Sequence, residues 1–223
     1  MKKLTFTQKE MMKLAEVFLW AEAMDYTVGL VGEEKRLKKT EYNLPRLVEK
    51  GALIAVRHGT KLVYTIPSKR ANYTADIDHG LICTKSLLKV LSTSQGEVVS
   101  ERFFRKMKFG VVPEWAIIFP LRTILLFEYS TADNFRRLRL MRNKVRKYKQ
   151  TINKFESYFE AKAIVLFVFD ALRHEVKRFV DEQRNGKELF YFTDLDSIMT
   201  VEGNVLSEPI YFWGGDGKRY PLK

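Results

Sequence analysis

Two apolar runs separated by three residues constrain this chain more than any other feature: "EWAIIF" at 114–119 and "TILLFEY" at 123–129, joined by "PLR". Each is strand-length and far too short to cross a bilayer. A turn centred on Leu121 makes them an antiparallel hairpin in which residues whose numbers sum to 242 face each other, and Glu114 and Glu128 satisfy that sum. Directly opposed residues point to the same face, with Cβ atoms roughly 5 Å apart. Two carboxylates so placed repel unless something cationic lies between them. A magnesium or manganese ion is one such cation, since hard ions take carboxylate oxygens, and an ion held there can activate water for in-line displacement at phosphorus. A one-residue shift of the turn sends the acids to opposite faces, where they are simply wet strand ends.

The chain then runs into a long amphipathic helix. Phe135, Leu138, Met141, Val145, Tyr148, Ile152, Phe155 and Phe159 step by threes and fours, the spacing of one buried helical face. Between them stand Arg136, Arg137, Arg139, Arg142, Lys144, Arg146, Lys147 and Lys149, with no acid up to Lys154. A solvated face usually mixes signs for pairing one turn apart. An unrelieved basic face repels itself unless phosphates lie against it, and each phosphate it neutralises releases counterions. A merely solvated face is the plain alternative. An anionic membrane could use the same charge, but the long regular apolar side fits core packing, so no membrane partner is expected.

Flanking segments complete an alternating pattern. "GLICTKSLLKVLS" and the short basic "SERFFRKMKF" precede the hairpin as helix candidates. After the long helix come "AIVLFVF", a strand buried on both faces, the helix "ALRHEVKRFVDEQR" ended by Gly186, and the strand "ELFYFT". The closing segment reads as short irregular pieces with "GGDGKRY" as a turn. The order β-β-α-β-α-β predicts a mixed sheet flanked by helices, in the α/β (α+β) class.

The N-terminal part has a different grammar. Residues 4–24 read as a helix with Thr7 as N-cap and Glu10 as its capping-box partner. A second helix covers part of "GEEKRLKKTEY". "LPRLVEKGAL" follows, with Pro45 in a first helical turn and Gly51 as the stop. "LIAVRHGTKLVYTI" then reads as a hairpin turning at His58-Gly59-Thr60. Helices followed by a hairpin make a winged helix-turn-helix pattern, and the boundary with the second domain falls near Ser68, giving domains 1–68 and 69–223. Such a domain sets its second helix in the major groove and its wing cations on backbone phosphate. Lys35, Arg36, Lys38 and Lys39 precede that helix, Arg46 and Lys50 lie within it, and Arg57, His58 and Lys61 sit on the wing. Winged helices also serve as protein–protein modules, because fold alone does not fix function.

Composition agrees with a polyanionic partner. Thirty-nine Lys and Arg against 27 Asp and Glu leave +12 on 223 residues, a balance that favours nucleic acid or an anionic surface. Cys83 is the only cysteine, so an internal disulfide and a cysteine cluster for zinc are excluded. With no apolar signal segment at the start, a cytoplasmic location is the plain expectation. His79 follows Asp76 and Asp78 in "DIDHGL"; these acids serve either as an N-cap cluster or as cation ligands. "GGDGKRY" lacks the following helix that a phosphate loop needs.

Several stretches together resemble the replication-relaxation family of plasmid and mobile-element proteins. "LPRLVEKGALIAVRHGTKLVYTI" resembles its N-terminal winged helix, and "DHGL" its short segment after the linker. "VPEWAII…TILLFEYST…KVRKY" resembles its acidic core ending in Lys-x-x-x-Tyr. "LFYFTDLDSIM…LSEPIYFWGGDGKRYPL" resembles its closing segments. That family is similar to PD-(D/E)xK nucleases, and some relatives are relaxases. The resemblance implies a restriction-endonuclease-like second domain in which Glu114 and Glu128 are the metal-binding acids, with Mg2+ or Mn2+ if the site is active. It makes Lys144 the catalytic helix lysine and Glu101 a match for an acid preceding the core. Ser130 departs from the pattern, standing where the family shows an acid. The expected function is DNA binding in plasmid replication or mobilisation, with a second domain whose nuclease-like site has degenerated. The alternatives are an active metal-dependent nickase and a winged-helix repressor with a dimerisation domain. The expected partners are DNA, a second copy of the chain, and plasmid replication or mobilisation proteins.

Overall fold

The structure, a computed structural model, describes residues 4–31, 37–67, 74–120, 122–131, 135–170, 174–183, 190–200, 211–213 and 219–221. It has an α+β architecture: an N-terminal, largely helical region, then a mixed β-sheet flanked by helices. The chain divides into two compact units, 1–88 and 89–223. The division comes later than the boundary expected near Ser68, a residue that lies outside those described.

In the first unit, α1 (Phe6–Val17) is capped by Thr5, whose side chain accepts from the Gln8 amide while the Gln8 side chain accepts from the Thr5 amide. The expected Thr7–Glu10 box is therefore displaced two residues upstream. The reason lies in Gln8, which is 2% exposed and also donates to Asn43 at 3.3 Å. It is anchored where Glu10 would be wet. The helix expected to run to residue 24 stops at Val17. Phe18 turns extended, β1 (Ala21–Glu22) pairs with a later strand, and α2 (Ala23–Val31) starts anew. Asp25 accepts the Glu22 amide at 2.8 Å at that restart.

The third helix, α3 (Leu37–Glu49), also departs from expectation. It is continuous through Pro45 rather than beginning there. Its stop is the expected one: Gly51 takes φ +68°, its amide and that of Ala52 donating to Val48 and Leu47 at 2.8 and 2.9 Å, closures that leave the last carbonyls satisfied. Strands β2 (Ile54–His58) and β3 (Lys61–Thr65) pair with His58 opposite Lys61. The two-residue turn has Gly59 at φ +59°, the backbone such a tight turn requires. With β1 on the outer side of β3, the small sheet has the order β1-β3-β2. Helix α4 (Thr74–Thr93) starts before Asp76, so Asp76, Asp78 and His79 lie inside the helix and not in a cap before it. Asp78 contacts the ring Nε2 of His58 at 2.7 Å; His58 ends β2 and is not itself a turn residue.

The second unit is built on a five-stranded sheet of order β4-β5-β6-β7-β8. Its strands are β4 (Glu97–Ser100), β5 (Trp115–Phe119), β6 (Thr123–Ser130), β7 (Lys162–Phe169) and β8 (Phe190–Asp194). The first three run antiparallel and the last three parallel. Parallel neighbours need a crossover; α6 (Phe135–Phe159) supplies one and α7 (His174–Gln183) the other. A short α5 (Glu101–Met107) follows β4, α8 (Leu195–Met199) follows β8, and β9 (Tyr211–Trp213) and β10 (Arg219–Pro221) pair antiparallel. The strand β4 and the helix α8 were not expected from the sequence.

One core joins α5, α6 and α7 to a single face of the sheet. Phe104, the α6 stripe from Leu138 to Phe155, and Phe179 pack with Ala116, Ile124, Leu126, Val165, Phe167 and Phe192. The strand members alternate by two and the α6 members by three and four, so each element's period selects the same interior. The opposite face is buried as well: Trp115 and Phe127 stack there at 4.1 Å. Among the described residues no helix is long and apolar enough to cross a membrane. Phe155 is fully buried and stacks on Phe109 at 4.5 Å. Phe155→Ala is expected to lower unfolding free energy by about 3–5 kcal/mol, the cost of a large aromatic cavity, read as a fall in urea midpoint at unchanged slope.

Candidate acid–lysine site

Of the two registers left open by the sequence, the hairpin takes the one in which paired numbers sum to 242. Phe119 faces Thr123 and Trp115 faces Phe127, pairs that each sum to 242. Arg122 closes the three-residue loop in the left-handed region, φ 52°, as such loops require. One step beyond the ladder, the Glu114 amide donates to the Phe127 carbonyl at 3.0 Å, which holds Glu114 beside Glu128.

What lies between the two acids is a lysine. Helix α6 folds back over the sheet, and the Lys144 ammonium donates to Glu128 Oε2, in very close contact, and to Glu114 Oε1 at 3.4 Å. One turn further, the Tyr148 hydroxyl donates to Glu128 Oε1 at 2.7 Å. Glu128 has no solvent exposure, and both of its oxygens are engaged. Lys144 and Tyr148 stand four residues apart, so they share a helix face. Tyr148 reads in the sequence both as a member of the apolar stripe and as the end of the Lys-x-x-x-Tyr segment; its place one turn after Lys144 is the signal that it does more than pack.

The electrostatics follow from two carboxylates sharing one ammonium. Burial pushes the Glu128 carboxyl up, the nearby Glu114 charge adds to that, and Lys144 opposes it; the result is a value raised to about 7. Burial alone would lower Lys144, but attraction to Glu128 and Glu114 outweighs it and holds the ammonium charged well beyond its ordinary range. Burial, then the Glu128 charge, raises Tyr148 well above a usual phenol, so it remains a hydroxyl donor.

This donor set does not fit a divalent cation as arranged. A hard ion needs open carboxylate oxygens, whereas those of Glu128 accept from an ammonium and a phenol. Ser130, two residues further along β6, is buried and offers a hydroxyl rather than a charge. On α4, His79 and Cys83 lie one turn apart with a ring nitrogen and the sulfur within 4.8 Å. They are donors of a softer kind, suited to transition metals and not to magnesium. Glu101, the acid matched before the core, receives Arg105 from the next turn of α5.

The cations divide into paired and open. On α6, Arg142 is bound fork to fork by Glu182 of α7, at 2.8 and 3.1 Å; that hydrogen bond holds the Glu182 carboxyl below its usual range. The acid missing from α6 itself is thus supplied by its neighbour. Arg139, Arg146 and Lys147 are exposed, while the side chains of Arg136 and Arg137 lie outside the described residues. In the first unit, Lys38, Lys39 and Arg57 are exposed. Lys61 donates to Glu22 at 2.6 Å, and Lys50 to Gln8 at 2.8 Å. Arg46 lies over the Tyr42 ring, 3.3 Å from its centroid. Lys35 and Arg36 lie outside the described residues.

Because the folded state raises Glu128 above its unfolded value, this group favours the fold most below pH 4.5 and progressively less as pH rises through about 7. Stability curves of the protein and of Glu128→Gln, compared from pH 4 to 8, are expected to diverge over that window. The glutamate form should lose up to about 3 kcal/mol relative to the glutamine form; parallel curves would mean that Glu128 titrates normally. No family model, curated protein or solved structure matches this chain.

Proposed function

We propose that the protein binds DNA in plasmid or mobile-element replication or mobilisation. In this reading it joins a winged-helix unit to a restriction-endonuclease-like unit that has kept the nuclease frame and lost the cutting. The observation that carries the second half is the closure of Glu128. An acid with no exposure, held by Lys144 on one oxygen and Tyr148 on the other, is built to stay in place rather than to exchange metal and water. A buried ion network of this kind positions elements more than it stabilises them; here it fixes α6 against β6, which sets the exposed side of α6 outward.

DNA binding is supported by charge and by element order. The chain carries +12, and Arg139, Arg146 and Lys147 lie exposed on α6. In the first unit, three helices and a hairpin follow the winged-helix order, with Lys38 and Lys39 exposed at the start of α3 and Arg57 exposed on β2. The resemblance to replication-relaxation proteins points to the biological setting.

Two measurements test the reading. Supercoiled plasmid incubated with the protein and Mg2+ or Mn2+ is expected to stay intact. Metal-dependent nicking that Glu128→Gln abolishes would establish an active nickase instead. Replacing Arg139, Arg146 and Lys147 together by glutamine is expected to weaken duplex binding and to reduce the slope of log K against log salt by roughly 3, about 0.9 per phosphate contact. An unchanged slope would remove α6 from the binding surface.

A further inference from the structure

Tyr42 and Arg46 stand on the outward stripe of α3 and face the same way. The opposite stripe, Thr40, Asn43, Leu44 and Leu47, is buried. Tyr42 is 61% exposed, yet its ring is covered on one side by the Arg46 guanidinium, 3.3 Å from the centroid. Arg46 also donates from one terminal nitrogen to the Tyr42 carbonyl at 3.3 Å. Beside the pair opens a hollow of about 610 Å³. Its walls include the buried amides of Gln8 and Asn43, bonded to each other, and Lys50.

We propose that this pair reads a base: Arg46, held over the Tyr42 ring, recognises guanine at its major-groove edge in duplex DNA. The inference rests on the DNA-binding reading of the first unit and specifies what α3 recognises. A guanidinium over a ring has one face occupied, and with Nη1 turned to the Tyr42 carbonyl the Nε and Nη2 edge supplies the in-plane fork. That fork matches the two acceptors of guanine, O6 and N7, and no other base edge offers the same pair. Stacking holds the side chain in place before binding, so less conformational freedom is lost on contact.

Local charge argues for a base edge over a phosphate. Glu49 shares the walls of the hollow with Arg46, and Glu41 is exposed on the same helix. These carboxylates offset part of the charge of Lys38, Lys39, Arg46 and Lys50, whereas hydrogen bonds to a neutral base edge depend on geometry. Lys38, exposed one turn before Tyr42, suits a flanking phosphate. The notch beside the pair leaves room for the base-pair edge to approach.

Selection of bound duplexes from a random-sequence library, followed by competition titrations, tests the proposal. The protein is expected to fix one guanine in its selected sites. Arg46→Lys keeps the charge and loses the fork, so it should discriminate against the other bases at that position about tenfold less, or worse. Tyr42→Phe keeps the ring and should retain the preference; Tyr42→Ala should reduce it without changing thermal stability. If Arg46→Lys selects the same guanine as strongly, or the protein binds duplex with no base preference, this proposal fails and the DNA-binding reading stands. If the protein binds no duplex at all, both fail.

Discussion

One ammonium between two carboxylates organises the second unit. Glu114 and Glu128 are brought together by strand register, and their repulsion would open the end of the hairpin if nothing intervened. Lys144 intervenes from a helix that leaves β6, runs across the sheet and returns the chain to β7. The contact therefore ties a local pairing to a long crossover. Tyr148 completes it by taking the remaining oxygen of Glu128, so the buried acid is left with no unmet acceptor at a place where water cannot serve it.

That arrangement decides how the exposed charge is displayed. An amphipathic helix can roll on its apolar stripe by small angles, since side chains such as Met141 and Ile152 are tolerant of shape. An ion pair with hydrogen-bond geometry is not. Lys144 on one side of the stripe and Arg142, clamped to Glu182, on the other hold α6 in rotation. Arg142 and Lys144 are spent inside the unit, Lys149 lies over the Phe190 ring of β8, and Arg139, Arg146 and Lys147 remain exposed.

Much of this was legible in sequence because it depended on short-range rules. A turn centred on Leu121 was one of two registers the sequence left open, and in it Glu114 and Glu128 could be paired from their numbers. The α6 stripe showed in its spacing, as did the glycine stops at Gly51 and Gly59. What was not legible depended on distant partners. Strand β4 has two valines between Glu97 and Ser100 and no alternation long enough to detect; it exists because β5 offers an edge, with Val98 and Val99 set against Ile117 and Ala116. The break after Val17 interrupts a stripe that continues through Phe18 and Ala21, because Ala21 pairs with Tyr64 on β3. Lys144 could be named, but its role required knowing that α6 turns back over the acids rather than away from them.

The lysine in place of an expected metal follows from the same geometry. A divalent ion and an ammonium are alternative answers to one problem, the proximity of two like charges. The ion answers it with exchangeable ligands and room for water, and so requires an open site. The ammonium answers it with a covalently attached charge that needs neither. Once Glu128 lies under α6 with a phenol on its second oxygen, the covalent answer is sufficient. The sheet and helix act in this way as a rigid mount for cations, and removing either acid would leave Lys144 short of a partner.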